Sequence, residues 1–396
     1  MVNKLLDKCC VCNSNNLEKV LDLPSLPLTG LYFPNLELAN KSNAYDQGLN
    51  RCRDCGHAQL KNAIDPQKVY DKTYTHRSSG SSISKAGNDF LYQYIIKNYK
   101  INNKTKLLEV GCNDGYLLEK ISKHCLSACG IDPIWINREV PSSKNFNMYG
   151  GYASEIKELI PSEFQPNLVV SAHTFEHTVS LFEELKCVVD FAEENTNFVI
   201  EMPSFDTLIR LRRFDQVFHQ HVQYISESSI AKLVERLNCN LKEITYNFNY
   251  WGGTVIFTFT KSALKQSKNK YIKNLDYELI NKSIIDFNFF KEILGRQLSF
   301  HKDVYYLGAA QMLPILHYHL KSEIKNLSGI LDDNSERCGT YLPSINKEIS
   351  LLTNLKKDEI ASSAKIIGAV DSGKALIKRA QEIGLFNIYS LYQNII

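Results

Sequence analysis

Short apolar blocks alternate with stretches of helical spacing through the middle of the chain. The first block, residues 106–110, runs into a glycine turn, and residues 116–123 then show the spacing of a helix. Further apolar blocks at 128–131, 167–171 and 197–201 follow at the intervals of a β-α repeat. This pattern predicts a parallel sheet with helices packed on it, so the expected fold class is α/β.

The glycine turn after the first block has the features of a ligand-binding loop. Gly111 and Gly115 allow the backbone to come close to a bound group, and the helix that follows offers free N–H groups. Asp132 ends the next strand about twenty residues later, where an acidic side chain binds ribose hydroxyls. A dinucleotide site needs glycine where Asn113 stands. The turn, which begins at Glu109, instead resembles motif I of the class I S-adenosylmethionine (SAM) methyltransferases.

Two segments with alternating polarity, 241–248 and 253–261, predict an antiparallel hairpin after the parallel strands. The second segment places Val255, Phe257 and Phe259 on one face and Ile256, Thr258 and Thr260 on the other. A parallel sheet that ends in an antiparallel hairpin is the strand order of SAM methyltransferases. The hairpin therefore agrees with the interpretation of the turn.

Five of the eleven cysteines fall in the first 55 residues. Two C-x-x-C pairs, Cys9 with Cys12 and Cys52 with Cys55, provide four thiolates of the kind that binds tetrahedral zinc. A closed site of four cysteines is structural. Cys10 is an additional thiol that can exchange with Cys9 as a ligand, and ordinary unligated thiols are the alternative interpretation.

Three apolar blocks near the C-terminus, 303–307, 328–331 and 365–370, each lead into a turn rich in glycine or aspartate. They predict a second small α/β unit without the complete glycine fingerprint of a dinucleotide site. We expect no second redox cofactor there. The expected domains are 1–75 for zinc binding, 76–275 for SAM binding and 276–396 for the C-terminal Rossmann-like unit.

Composition and charge exclude several classes of protein. The 396 residues are 44% hydrophobic and 22% charged, as in ordinary globular chains. With 46 basic and 43 acidic residues the net charge is +3, which gives no reason to expect nucleic-acid binding. We find neither a long apolar run nor a secretory signal, so we expect a cytoplasmic protein without membrane contact.

Four of the ten histidines lie in two short segments. His173 and His177 follow the block at 167–171, at the strand end where ligands bind in open α/β sheets. His219 and His221 lie in the polar and aromatic segment 214–224. A general base, a metal ligand and a buried structural histidine are the three interpretations, and an imidazole is suited to the first because it titrates near neutrality.

The combination of these motifs resembles the nucleotide-sugar C-methyltransferases of deoxysugar biosynthesis over nearly the full length. The matching stretches are both cysteine pairs, 109–115, 176–177, 201–203, 214–226, 307–310, 331–334 and 339–343. The resemblance implies a zinc-binding N-terminal domain, a SAM-binding core and a C-terminal domain that closes over the sugar nucleotide. It also implies a 4-keto-6-deoxy sugar on a nucleoside diphosphate, from which a base removes the proton beside the ketone before the enolate takes the methyl group.

The resemblance assigns the site residues by position. His221 keeps the position of the family's base, and the catalytic candidates are His221, His219 and Gln220. The residues expected to bind SAM are Glu109, Gly111, Asn113, Gly115, Asp132 and His173.

The sequence departs from the family at the expected base. The family has tyrosine at Phe218, glutamate at Gln220 and histidine at Trp251. Phe218 cannot donate a hydrogen bond, and Gln220 cannot supply negative charge. Removing a C–H proton needs a group that stabilises the enolate, whereas methylation of a hydroxyl needs one base and good alignment.

These departures leave the acceptor atom open. We expect C-methylation of the sugar, with O-methylation on the same scaffold as the next alternative. A non-catalytic SAM- or sugar-binding homologue is a hypothesis of another class, and a nucleic-acid methyltransferase is disfavoured by the balanced charge. The sequence gives no oligomeric state.

Overall fold

The computed structural model describes residues 3–64, 77–141, 143–248, 252–262, 275–354 and 362–392. The expected domain boundary at residue 75 and the residue Trp251 lie outside these ranges. Among the described residues, no helix combines the length and the apolar character needed to cross a bilayer.

The N-terminal part is an antiparallel β unit with one short helix. Asn35 caps this helix, since its side chain accepts a hydrogen bond from the Leu38 N–H. The first and fifth strands pair with each other, and the second, third and fourth form one sheet. The elements are β1 (Asn3–Leu5), β2 (Leu17–Pro27), α1 (Leu36–Asn40), β3 (Ala44–Cys52), β4 (Ala58–Leu60) and β5 (Asn62–Ile64).

The central part contains a mixed sheet with helices between its strands. Ser81, Ser204 and Ser226 cap the helices that follow them, because each side chain accepts a backbone N–H from the first turn. The elements are α2 (Ser82–Asn98), β6 (Lys106–Val110), α3 (Tyr116–Ser122), β7 (Ser127–Ile131), β8 (Asn147–Tyr149), α4 (Ile156–Leu159), β9 (Leu168–Ala172), α5 (Leu181–Phe191), β10 (Asn197–Pro203), α6 (Phe205–Leu211), β11 (Gln223–Tyr224), α7 (Glu227–Arg236), β12 (Cys239–Asn247) and β13 (Thr254–Lys261).

The order of this sheet is β12-β13-β10-β9-β6-β7-β8, and β13 is antiparallel to its neighbours β10 and β12. Such an order is that of a class I SAM methyltransferase, as the sequence pattern predicted. Val255, Phe257 and Phe259 pack into one hydrophobic cluster, and Ile256 packs into another. Alternate side chains of β13 therefore pack on opposite faces of the sheet.

The C-terminal part is a parallel sheet of order β16-β15-β14-β17-β18, preceded by a long helix. The strand expected at 365–370 ends earlier, because the chain turns at Gly368, where a Cβ atom would lie 2.3 Å from the Gly308 carbonyl oxygen. The elements are α8 (Tyr277–Leu298), β14 (Val304–Leu307), α9 (Leu313–Leu320), β15 (Leu327–Asp332), β16 (Ile349–Leu351), β17 (Ala364–Ile367), α10 (Gly373–Glu382) and β18 (Ile388–Tyr389).

One hydrophobic cluster joins the three parts around the segment 214–224. It contains Leu26 and Leu49 from the N-terminal sheet, Phe214 and Tyr224 from the segment itself, and Tyr306 from the C-terminal sheet. Strand β11 also adds to the N-terminal sheet, antiparallel to β4. The segment that carries His219 and His221 is therefore held between separate elements rather than exposed as a free loop.

Candidate functional site

The four predicted cysteine ligands converge near the end of β3. Their sulfur atoms all lie within 4.8 Å of one another. The Sγ of Cys9 is 3.5 Å from that of Cys55, and the Sγ of Cys12 is 3.5 Å from that of Cys52. Hydrogen bonds from Cys55 and Cys9 lower the pKa of the Cys52 thiol, so one thiolate is already favoured.

This group of donors fits zinc. Four thiolates about 2.3 Å from an ion stand at the corners of a tetrahedron with edges near the observed sulfur separations. Cys9, Cys12, Cys52 and Cys55 would hold the ion, and with four protein ligands no coordination position is left for a substrate. Zinc bound here would cross-link the two cysteine pairs and so stabilise the fold. Cys10 lies outside the four, and its Sγ instead contacts the Val179 carbonyl oxygen.

The expected SAM turn lies where the chain leaves β6 and enters α3. Gly111, Asn113 and Gly115 all have positive φ, at 75°, 46° and 80°. Glycine and asparagine are the residues that adopt this conformation most readily. A Cβ atom on Gly111 would lie 1.8 Å from the Thr174 Oγ1, so the turn passes directly against the loop after β9.

The Asp132 carboxylate supports the same turn. Its Oδ2 accepts the Asn113 N–H at 2.8 Å and its Oδ1 accepts the Ile134 N–H at 2.9 Å. Each oxygen retains a further lone pair, so the carboxylate can also accept ribose hydroxyls. Burial raises the pKa of Asp132, and the two backbone N–H donors oppose that shift.

The turn is surrounded by acidic side chains. Burial, followed by the charges of Asp132 and Asp114, raises the pKa of Glu109 well above its usual range. No described residue hydrogen-bonds the Glu109 Oε2. A bound cation would favour the charged forms of these carboxyl groups, which burial disfavours, and the sulfonium of SAM is such a cation. The residues present therefore fit the cofactor, which supplies an electrophilic methyl group when bound.

His173 directly follows β9 and lies near two buried carboxylates, Glu176 and Glu201. Its Nδ1 is 3.1 Å from the Glu176 Oε1, and its backbone N–H donates to the Glu201 carbonyl oxygen. Burial alone would lower the pKa of His173. The hydrogen bond and the charge of Glu176 have the larger effect, so the pKa of His173 is raised overall. The expected role of His173 in cofactor binding remains a prediction.

His221 lies in an aromatic environment formed by neighbouring rings. Its ring centroid is 4.2 Å from that of Phe218 and 5.0 Å from that of His177. Burial, together with the charges of His177 and His173, lowers the pKa of His221 well below its usual range. The imidazole is therefore neutral near pH 7, the state in which it can accept a proton.

The two other expected catalytic residues contact the N-terminal unit. The His219 Nε2 donates to the Leu26 carbonyl oxygen at 2.9 Å, and its Nδ1 is 3.4 Å from the Gln47 Nε2. The Gln220 Oε1 accepts the Thr29 hydroxyl at 3.0 Å, and the Gln220 Nε2 donates to the Thr29 carbonyl oxygen. These contacts suit positioning of the segment, and direct catalysis by either residue stays a prediction.

Sequence reasoning assigned no role to three groups that shape the site. Thr174 packs against Gly111 of the expected SAM turn, and Glu176 contacts His173. Arg213 forms an ion pair with Asp371 and so joins the segment 214–224 to the C-terminal unit. Glu176 could have been found from its place between two histidines at a strand end. The partners of Thr174 and Arg213 are distant in sequence, so no local pattern indicates them.

The fold and the site define a SAM-dependent methyltransferase domain joined to an N-terminal zinc-binding domain. Comparison with known families agrees with this class. Residues 86–244 match the family described as "Methyltransferase domain", and residues 9–70 match the family described as "Putative zinc binding domain".

One curated relative is "C-methyltransferase NovU" of Streptomyces niveus, with 23% identity over 261 residues. The match covers 65% of this chain and 62% of the relative.

The similar solved structures include the N-methyltransferase NodS of Bradyrhizobium japonicum, with 15% identity, a TM-score of 0.35, and coverage of 49% of this chain and 93% of that one. The magnesium protoporphyrin IX methyltransferase of Synechocystis has 11% identity, a TM-score of 0.36, and coverage of 46% and 88%. The class itself rests on the strand order and on the matched domains.

Proposed function

We propose that this protein transfers the methyl group of SAM to a carbon atom of a keto-deoxysugar carried on a nucleoside diphosphate. The observation that carries the proposal is the position of His221. It is a buried imidazole beside the loop after β9, and that loop also presses on the SAM turn through Thr174. This arrangement supports a base and a methyl donor at the same edge of the sheet, where open α/β folds bind their ligands.

In the proposed reaction His221 takes the proton from the carbon beside the ketone. The electron pair of that C–H bond becomes the enolate, whose carbon forms the new bond to the methyl carbon as the bond from sulfur to methyl breaks. The imidazolium that results lies within 4.8 Å of an oxygen of the buried Glu176, whose negative charge can offset part of the burial that disfavours it. The similarity to NovU, which is named as a C-methyltransferase, supports carbon as the acceptor.

O-methylation of a sugar hydroxyl is the second candidate. Phe218 has no hydroxyl to stabilise an enolate, and Gln220 is hydrogen-bonded to Thr29. A hydroxyl acceptor requires only the base and alignment.

The test is NMR of the purified protein with SAM and a panel of keto and non-keto nucleotide sugars in heavy water. We expect a C–CH₃ product from a keto sugar and deuterium entering the carbon beside the ketone. An O–CH₃ product from a non-keto sugar would establish the second candidate instead.

His221→Ala should abolish turnover and keep SAM binding, and full activity in that variant would remove His221 from the mechanism.

A further inference from the structure

Three titratable side chains next to the expected SAM turn converge in one cluster. One oxygen of Glu176 and one ring nitrogen each from His177 and His221 lie within 4.8 Å of one another. Two imidazoles and one carboxylate form the donor set of many sites for zinc, cobalt, nickel and iron ions. It differs from the oxygen-only environment that magnesium and calcium prefer.

Two hydrogen bonds, one between backbone groups and one from a side chain, join the two segments that carry these donors. The Val222 N–H donates to the Glu176 carbonyl oxygen at 2.7 Å, and the His177 Nδ1 donates to the Gln220 carbonyl oxygen at 2.8 Å. The second bond fixes the tautomer of His177, so that Nε2 is the acceptor nitrogen of its ring. Histidines that bind metals commonly donate their other nitrogen to a carbonyl in this way.

The Glu176 carboxylate is an independent sign of a cation. Its side chain is fully buried, and its Oε1 contacts the His173 Nδ1 at 3.1 Å. Its Oε2 is also buried, and no described residue hydrogen-bonds it. A buried carboxylate oxygen without a partner is costly, and a metal ion would remove that cost.

We propose that Glu176, His177 and His221 form a second metal site, separate from the four cysteines, that binds a divalent transition-metal ion. An occupied site uses the lone pair of His221, so metal binding and proton abstraction by His221 exclude each other. The inhibitory part of this inference rests on the proposed function, whereas the binding part does not.

The test adds Co²⁺ to the zinc-loaded full-length protein and records its visible absorption. We expect one equivalent of cobalt to bind with d–d bands and without the thiolate-to-cobalt charge-transfer band that cysteine ligands produce. His177→Ala and Glu176→Gln should each weaken binding at least about tenfold. His124→Ala, which removes an exposed histidine elsewhere, should bind cobalt like the parent.

Each other outcome has a defined meaning. Equal binding by the parent and His177→Ala, or a thiolate charge-transfer band, would overturn the second site. Loss of cobalt binding in Glu176→Gln without loss of its cooperative thermal transition would support it, because the fold is then intact. Cobalt binding by a protein that methylates no sugar would keep the site and reject the proposed function. Turnover that saturating Co²⁺ does not inhibit would overturn the exclusion between metal and base.

Discussion

Gly111 lies where the chain leaves β6, and its surroundings leave no space for a side chain. Its φ is 75°, and a Cβ atom would lie 1.8 Å from the Thr174 Oγ1. Gly111→Ala should therefore lower the free energy of unfolding by about 1–3 kcal/mol and weaken SAM binding, because the turn must move. Urea unfolding and calorimetric titration with SAM measure the two effects.

Gly339 provides a matched control for that variant. Its φ is 78°, and nothing lies within 4 Å of the position of its Cβ atom. Gly339→Ala should show only the backbone cost, about 1–2 kcal/mol, with unchanged SAM affinity. Equal SAM affinity in both variants would contradict the placement of the SAM turn at Gly111.

Gln220 uses both ends of its amide on Thr29, one as acceptor and one as donor. A carboxylate can accept but cannot donate to a carbonyl oxygen. Gln220→Glu should thus destabilise the protein by about 1–3 kcal/mol and slow turnover, although the related family has glutamate at this position. Thr29→Val, which removes only the hydroxyl, should have the smaller effect. A faster reaction with Gln220→Glu would instead indicate that this side chain acts on His221.

At the scale of elements, the zinc-binding unit holds the segment that carries His221. Strand β11 pairs with β4, and the Ser226 and Ser228 hydroxyls donate to the carbonyl oxygens of Gly56 and Cys55. The cysteine turn at 52–55 therefore contacts the start of α7, directly after the segment 214–224. Zinc at this distance can influence turnover without touching a substrate.

Loss of a zinc ligand should therefore reduce turnover more than SAM binding. We expect Cys12→Ser to lower kcat on the order of 100-fold, since a small misplacement of a base has that effect, while the Kd for SAM is kept. Cys10→Ser is the matched control, because Cys10 lies outside the group of four. Metal content, kcat and SAM affinity measured on both variants check this. A loss of zinc in Cys10→Ser would show that Cys10 replaces Cys9 as a ligand.

The elements differ in how far the sequence could predict them. The strand over residues 106–110, the hairpin and three of the five strands of the C-terminal sheet follow from local periodicity and lie close to the expected positions, whereas β16 and β18 were not predicted. The two-residue strand β11 could not be predicted, because it exists only through its pairing with β4. In the site, the cysteines and the glycine turn have fixed spacing, whereas the contacts of Gln220 and Glu176 depend on tertiary packing.

At the scale of the whole molecule, Arg213 joins the methyltransferase domain to the C-terminal sheet. Its guanidinium forms two hydrogen bonds to Asp215, at 2.9 and 3.0 Å, and one to Asp371, at 3.0 Å. Its charge also lies 5.1 Å from the centroid of the Tyr392 ring. A Cβ atom on Gly252 would lie 2.5 Å from the Arg213 Nη1, so the glycine pair after β12 leaves space for this side chain.

Removing the Arg213 guanidinium should loosen the contact between the two parts. The side chains of Arg213 and Asp215 are only 2% and 3% exposed, so Arg213→Met leaves a buried carboxylate unpaired. We expect a loss of about 3–5 kcal/mol in the free energy of unfolding. The adjacent Arg212 pairs with Asp286 at about one quarter exposure, so Arg212→Met should cost no more than about 1 kcal/mol.

Urea unfolding of Arg213→Met and Arg212→Met measures the difference in their free energies of unfolding. Asp215→Asn in the Arg213→Met background should recover part of the lost stability, because it removes the unpaired charge. If the C-terminal sheet closes over the acceptor, Arg213→Met should raise the KM for the sugar nucleotide and leave the Kd for SAM unchanged. Equal costs for Arg212→Met and Arg213→Met would show that burial of the ion pair does not set its strength. A matching rise in the Kd for SAM would show that Arg213 supports the sheet of the methyltransferase domain rather than its contact with the C-terminal unit.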